Sequence, residues 1–292
     1  MLNGKELIVR EIVNHFTILY GASPVPARDD YQEGLQSLVR TRISCVQGEM
    51  LSRPVGHDEI IRALSSLKKS KAPGPDGFPP EFFLGSWKLL CRDVIEAITE
   101  FFAKGRMLKQ WNVSAITLVP KSKNAMRVSD YRPISCCNTM YKCISKVLAD
   151  RLKMVIGVLV GPTQSAFIPG RKIVDNIMLA QEIIHGYGAK RGPKGCVMQM
   201  DIAKAFDSLE WPFIRSALRA FDFPNTFITW VMECISTPTS SVNINGELHG
   251  FIKHSRGLRQ GDPLSPYLFV LSMEMLSLQL NLATQLPCFK KH

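Results

Sequence analysis

The chain has 292 residues, of which 46% are apolar and 21% charged, and a formal net charge of +11. That balance excludes an intrinsically disordered polymer, and the longest apolar runs, such as Met154 to Gly161, are far too short to span a bilayer. The basic surplus is local: sixteen Lys/Arg and four acidic residues lie between Lys104 and Lys194, a balance of +12, while the rest of the chain is close to neutral. Such a region suits a polyanion, with nucleic acid ahead of membrane lipid. The eight Cys form no Cys-x-x-Cys pair and the six His do not cluster with them, which argues against zinc. Reduced thiols and the lack of a secretory signal point to an intracellular protein of nucleus or cytoplasm.

In chain order, Lys5 to Tyr20 predicts an amphipathic helix with Ile8, Ile12, Phe16 and Leu19 on one stripe. Ala27 to Met50 is weakly patterned, and its Asp29-Asp30 pair reads as a solvated loop or cap. His57 to Leu67 predicts a second helix, with Asp58 and Glu59 suited to its N-terminal dipole. The stretch Lys68-Lys-Ser-Lys-Ala-Pro-Gly-Pro-Asp-Gly77 forces an irregular, surface-accessible loop, which on its residues alone reads as a rigid linker. Pro80 to Phe102 reads as one long helix ending before Gly105. Ala115 to Val119 predicts a short strand delivering Lys121, and Tyr131 to Ser135 its hairpin return, carrying Arg132. Tyr141 to Val160 predicts a helix whose charge comes from Lys142, Lys146, Arg151 and Lys153, and Ile173 to Tyr187 the next helix.

Cys196 to Met200 is apolar at nearly every position and predicts a buried strand ending at Asp201. A carboxylate there needs a cationic neighbour, and a divalent ion, a helix N-cap role or a structural ion pair would each supply an answer. Helices follow at Trp211 to Phe221 and Phe227 to Cys234, then a hairpin over Ser241 to Phe251 turning at Asn245-Gly246. The Gly- and Pro-punctuated loop Arg256-Gly-Leu-Arg-Gln-Gly-Asp-Pro-Leu-Ser-Pro-Tyr267 leads into a helix to Ala283, with Ser265 and Pro266 suited to its N-cap and first turn.

The wording "DIAKAFDSLEW" followed by "RGLRQGDPLSPYLFVLSME" resembles the palm motifs of reverse transcriptases, and specifically the non-LTR, LINE-type retrotransposon branch in its plant form. The likeness extends back through "QSAFIPGRKIVDNI", "LVPKSKNAMRVSDYRPIS" and "KAPGPDGFPPEFF", so that five motifs stand in the family's order from about Val55 to Leu286. A group II intron maturase would share several of them. The resemblance implies an α+β right-hand polymerase, mostly helical with short antiparallel strands. Its implied divisions are a helical extension over 1–56, fingers over 57–195 and a partial palm over 196–292.

It also implies RNA-directed DNA polymerisation by two-metal nucleotidyl transfer, with an RNA template, a DNA primer, deoxynucleoside triphosphates and Mg²⁺. By resemblance Asp201 and the Ile202 carbonyl hold metal, Asp201 being the catalytic carboxylate. Lys121, Arg132, Phe206, Gln260 and Gly261 bind the nucleotide, with Phe206 under the sugar. Lys71, Gln164 and Arg171 touch nucleic acid, and Asp207 and Asp262 act as local hydrogen-bond partners. The family's aromatic-Ala-Asp-Asp hairpin has no counterpart here, since Glu274 is the only acidic residue after Asp262. The expectation is therefore a fingers-plus-partial-palm fragment without a thumb, catalytically incomplete as it stands. A non-catalytic RNA-binding remnant is the alternative.

Overall fold

The computed structural model describes residues 4–21, 31–187 and 197–286. Four strands, β1 (Val113–Pro120), β2 (Tyr131–Cys137), β3 (Thr239–Ile244) and β4 (Glu247–Lys253), form one sheet in the order β2-β1-β3-β4. β1 and β2 are antiparallel, as are β3 and β4, but β1 and β3 run parallel. The sheet is thus mixed, which corrects the expectation of antiparallel strands alone. The parallel pair follows from connectivity: β1 and β3 are separated by a long helical crossover, which a parallel ladder requires. The β3–β4 turn is Asn245-Gly246, both with positive φ (53° and 90°), a geometry that Asn and Gly tolerate and that matches strand twist.

Helices make up most of the rest. α1 (Lys5–Tyr20) lies against β3 and β4, with Phe16 and Leu19 buried in a small core shared with Ile116, Val242 and Ile252. α2 (Tyr31–Leu38) and α3 (Cys45–Ser52) occupy the weakly patterned stretch. The sequence signal for α3 is a capping box, in which the Ser44 hydroxyl accepts from the Gln47 N–H and Gln47 Oε1 accepts from the Ser44 N–H. The adjacent Asp29-Asp30 pair lies outside the described residues. α4 (His57–Ser66) follows as expected. The single helix expected over Pro80 to Phe102 is two, α5 (Pro80–Gly85) and α6 (Trp87–Lys104), because Gly85 and Ser86 interrupt the ladder and Ser86 takes a non-helical conformation.

At the centre is α7 (Thr139–Leu159), buried along much of its length by Tyr141, Ile144, Val147, Leu148, Leu152 and Val155. Its Arg151 is not surface charge but fully buried. Nε and Nη2 donate to the two Glu59 carboxylate oxygens at 2.8 and 2.9 Å, and Nη1 donates to the Leu51 and Arg53 carbonyls at 2.8 Å. The bidentate pair ties the α3–α4 connection to the core helix. α8 (Ile173–Tyr187), α9 (Ala205–Ser208), α10 (Trp211–Ala220), α11 (Asn225–Ser236) and α12 (Ser265–Ala283) complete the chain.

The buried strand expected before Asp201 does not form over the described part of that stretch. Residues 197–202 carry no regular structure, and Val197, Met198, Met200 and Ile202 are 52, 78, 62 and 44% exposed. A strand persists only with a ladder partner. Here the free edge of β2 is met by a loop, through a Ser135 N–H bond to the Gln260 carbonyl at 2.8 Å, and no strand of the sheet pairs with 197–202.

Burial alone would raise the Glu59 pKa, but the bonds to Arg151 and its charge outweigh that and hold it below its usual value. The pair's stabilisation is therefore present above the unfolded-state value and is lost as pH falls through the depressed folded one. Arg151→Leu, which leaves the half-buried Glu59 with only the Arg53 guanidinium at 4.0 Å and strips the donor from the Leu51 and Arg53 carbonyls, is expected to lower unfolding free energy by about 1–3 kcal/mol. In urea titrations, adding Glu59→Leu should recover part of that loss.

Candidate functional site

The loop from Arg256 to Pro263, joining β4 to α12, gathers most of the residues of interest. It runs beside the segment 206–209: the Leu258 N–H donates to the Phe206 carbonyl and the Gly257 N–H to the Leu209 carbonyl, each at 2.7 Å. Gly257 has a positive φ of 87°, and a Cβ there would sit 2.8 Å from the Asp207 carbonyl oxygen, so only glycine permits so close an approach. These contacts bring Phe206, Gln260 and Gly261 around one cavity of about 300 Å³, lined also by Ala205, Arg259, Ser265 and Pro266. Phe206 stacks nearly parallel on Phe269, with centroids 4.6 Å apart. Ser265 is the first residue of α12 rather than its N-cap, which is Leu264; the Ser265 hydroxyl is buried with no hydrogen-bond partner among the described residues.

Two buried carboxylates fix the loop. Asp262, 3% exposed, accepts from the Tyr141 and Ser145 hydroxyls and from the Leu264 N–H at 3.0 Å, with Arg259 Nη2 at 3.8 Å. The Arg259 guanidinium lies 3.9 Å from the centre of the Tyr141 ring. Asp207, also 3% exposed, accepts from Tyr20 Oη on Oδ1 at 3.0 Å and from Gln260 Nε2 on Oδ2 at 3.2 Å. Burial pushes the Asp207 carboxyl above its ordinary pKa, while the Tyr20 bond, the charge of Lys204, the Gln260 bond and the charge of Lys121 oppose the rise. Both aspartates are thus hydrogen-bonded as expected, but mostly by groups far away in sequence, Tyr20 and Gln260 for Asp207 and Tyr141 and Ser145 for Asp262, rather than by local ones. Tyr20 gave no such signal in the sequence, because nothing in an amphipathic stripe tells a packing aromatic from one whose hydroxyl reaches a carboxylate 187 residues away.

Lys121 and Arg132 sit on the β1–β2 hairpin. Val119 pairs with Arg132, and the Lys121 N–H bond to the Asp130 carbonyl at 2.8 Å carries the ladder one residue pair further. Side chains alternate along a strand, so both cations leave the same face. Lys121 Nζ donates to the Ser129 carbonyl at 2.8 Å, and Arg132 is exposed.

Asp201 and Ile202 are exposed on the irregular segment that ends at Lys204, whose φ of 51° is left-handed. Among the described residues no group of three or more His, Cys, Asp or Glu is placed to hold a metal ion. Lys71 is exposed on a loop anchored at the start of α7: Asn138 Oδ1 accepts from the Asp76 N–H, and Thr139 Oγ1 donates to the Phe78 carbonyl. In that loop a Cβ on Gly74 would fall 2.5 Å from the Asn138 nitrogen, a contact only glycine allows. Gln164 and Arg171 lie at the other end of α7, about 30 Å away at 1.5 Å per residue, so the three do not form one patch. Gln164 Nε2 donates to the Ala166 carbonyl. The Arg171 guanidinium donates to the carbonyls of Gly157, Val160, Gly161 and Gln164, and so satisfies the exposed end of the α7 ladder. No helix among the described residues is long and apolar enough to cross a membrane.

The model of the family "Reverse transcriptase (RNA-dependent DNA polymerase)" matches residues 119–289, more than half of the sequence, and the chain belongs to that family. It is 32% identical over 226 residues to the transposon TX1 uncharacterized 149 kDa protein of Xenopus laevis, covering 77% of this chain and 17% of that protein. It is 29% identical over 219 residues to the retrovirus-related Pol polyprotein from type-2 retrotransposable element R2DM of Drosophila melanogaster, covering 75% and 20%. With the probable RNA-directed DNA polymerase from transposon BS of the same fly it shares 23% identity over 268 residues, covering 88% and 28%. The chain therefore spans less than a third of the length of these relatives.

Gly261 has a φ of 108°, and a Cβ there would lie 3.0 Å from the Ser135 carbonyl oxygen; Gly246, φ 90°, has open space. Gly261→Ala is expected to cost about 1–3 kcal/mol in urea denaturation, more than Gly246→Ala, since strain and a backbone contact act together.

Proposed function

We propose that this chain supplies the fingers (57–195) and the first part of the palm (196–292) of the reverse transcriptase of a non-LTR, LINE-type retrotransposon of plant form, with 1–56 as a helical extension packed onto it. The observation that carries the reading is the convergence of Phe206, Gln260 and Gly261 on one cavity, with Lys121 close enough to Asp207 for its charge to be felt there. In this reading the substrate is a deoxynucleoside triphosphate opposite an RNA template, and the product a DNA strand grown from a primer.

Each residue then has a physical task. The Phe206 ring, backed by Phe269 and unable to retreat, lies under the sugar and leaves no room for a 2′-hydroxyl. The Gln260 side chain, held by Asp207, and the Gly261 backbone, pressed on Ser135, present a flat, preset surface to the nascent base pair. Lys121 attracts the triphosphate as a point charge and Arg132 grips it through its planar fork. Lys71 offers a charge to the template backbone. Gln164 and Arg171 act on the strand chiefly by shaping the end of α7, since the Arg171 guanidinium is already engaged by four carbonyls.

The family implies divalent metal ions, and Asp201 with the Ile202 carbonyl would be first to meet them. The described residues do not fit a two-metal site: no group of three or more His, Cys, Asp or Glu is placed to hold an ion, and Asp207 is taken by Tyr20 and Gln260. By themselves, the described residues are not expected to extend a primer. A second reading, a module that holds RNA without catalysis, is favoured by the +12 balance of residues 104–194.

Anisotropy titration of the purified chain with RNA or an RNA–DNA hybrid tests the shared part of both readings. Binding should show little sequence preference, and if six or more phosphates are neutralised the affinity should fall by about a thousandfold or more between 50 and 200 mM salt. Absence of binding at low salt would remove both readings, and incorporation of deoxynucleotides by the chain alone would contradict its catalytic incompleteness.

A further inference from the structure

The nucleotide cavity is braced from an element outside the residues that the family model matches. α1 ends at Tyr20, nearly a hundred residues before the match begins at residue 119. Tyr20 is 3% exposed, and its ring stacks on His254 with centroids 4.2 Å apart. That imidazole is itself fixed, with Nε2 2.8 Å from the Ser240 hydroxyl, and burial holds it neutral, its pKa pushed down to about 3. The last carbonyls of α1 are answered by the segment that opens the Gln260 loop. The Tyr20 carbonyl accepts from the Ser255 N–H at 2.8 Å and from its hydroxyl at 2.9 Å, and the Leu19 carbonyl accepts from Arg256 Nε at 3.0 Å. Backbone and side chain of one residue thus engage both the loop and the carboxylate beneath it.

That carboxylate, Asp207, has one oxygen for Tyr20 and the other for Gln260. A buried carboxylate with a single donor would be free to turn about its own axis, and the amide it holds would turn with it. We propose that Tyr20 is a positioning residue for the nucleotide site: its hydroxyl locks Asp207, and Asp207 sets the Gln260 amide that faces the base pair. α1 is then part of the nucleotide-binding machinery rather than an appended helix. The inference rests on the reading of the cavity given above and adds to it a residue, and an element, that the family match does not contain.

The test is a double-mutant cycle on the full chain, read as the dissociation constant of a fluorescently labelled deoxynucleoside triphosphate in the presence of a primer–template duplex. Tyr20→Phe keeps the ring stack on His254 and removes only the hydroxyl. It is expected to weaken binding about five- to tenfold, the worth of one well-placed hydrogen bond. In a Gln260→Ala background the same substitution should have no further effect, because the group it positions is gone. An equal loss in both backgrounds would mean that Tyr20 merely docks α1, and no loss in either would mean that the hydroxyl is idle; each overturns the inference while leaving the cavity's reading intact. If the parent chain binds no triphosphate, the reading of the cavity fails and the inference with it. Should Tyr20→Phe not fold, Asp207→Asn answers the same question, with its loss also expected to vanish beside Gln260→Ala and a persistent loss counting against the proposal.

Discussion

A carboxylate buried to 3% exposure governs this structure: Asp262, at the bend between the Arg256–Pro263 loop and α12. Taking a charge out of water costs several kcal/mol unless donors replace the solvent, and here the donors come from three parts of the fold. Tyr141 and Ser145 reach it from α7, the Leu264 N–H from the start of α12, and Arg259 from the loop itself. Arg259 also lies on the face of Tyr141 and donates to the Cys234 carbonyl at the end of α11. The loop therefore has one position available to it, and Gln260 and Gly261, between Arg259 and Asp262, inherit that position.

From this point the rest of the site is a matter of reach. Gln260 meets β2 through its carbonyl and Asp207 through its amide, so that the hairpin carrying Lys121 and Arg132, the Phe206 segment and the loop share a frame. α7 supports the frame from beneath, and it is fixed in turn by the Arg151–Glu59 pair on one side and by the Arg171 clamp on its last turn. Three charged groups that look like surface residues in a linear reading, Arg151, Arg171 and Arg259, are all spent on holding backbone or buried partners. The surface left to attract a polyanion is accordingly less basic than the count of Lys and Arg suggests.

Amphipathic helices were the part of the fold most legible in the sequence. α1, α4, α7 and α8 follow from their apolar spacing, and the β3–β4 hairpin from Asn245-Gly246, because each reports a local preference. The cavity was legible in another way: Phe206, Gln260 and Gly261 were marked by the family's wording, which carries spatial information that periodicity lacks. What could not be read depended on non-local partners. The apolar run before Asp201 has strand composition but no neighbouring strand in this sheet, and without a ladder its described residues take no regular structure and are exposed. The Pro80 to Phe102 pattern hides a break at Ser86, and the sign that Arg171 would close a helix end lies only in where α7 stops. The Tyr20–Asp207 bond spans most of the chain and leaves no trace in either local sequence.

The central claim is that the cavity floored by Phe206 receives the sugar of an incoming nucleotide. Its most direct test joins this chain to the residues that follow the matched region in one of the longer relatives and compares incorporation of deoxy- and ribonucleotides by the resulting polymerase. With Phe206→Val, the ratio of kcat/KM for the two sugars should fall towards unity while deoxynucleotide incorporation is largely retained, since on this account the ring excludes the 2′-hydroxyl. An unchanged ratio in an active Phe206→Val polymerase would contradict the account and return Phe206 to the hydrophobic core, as a partner of Phe269 and nothing more.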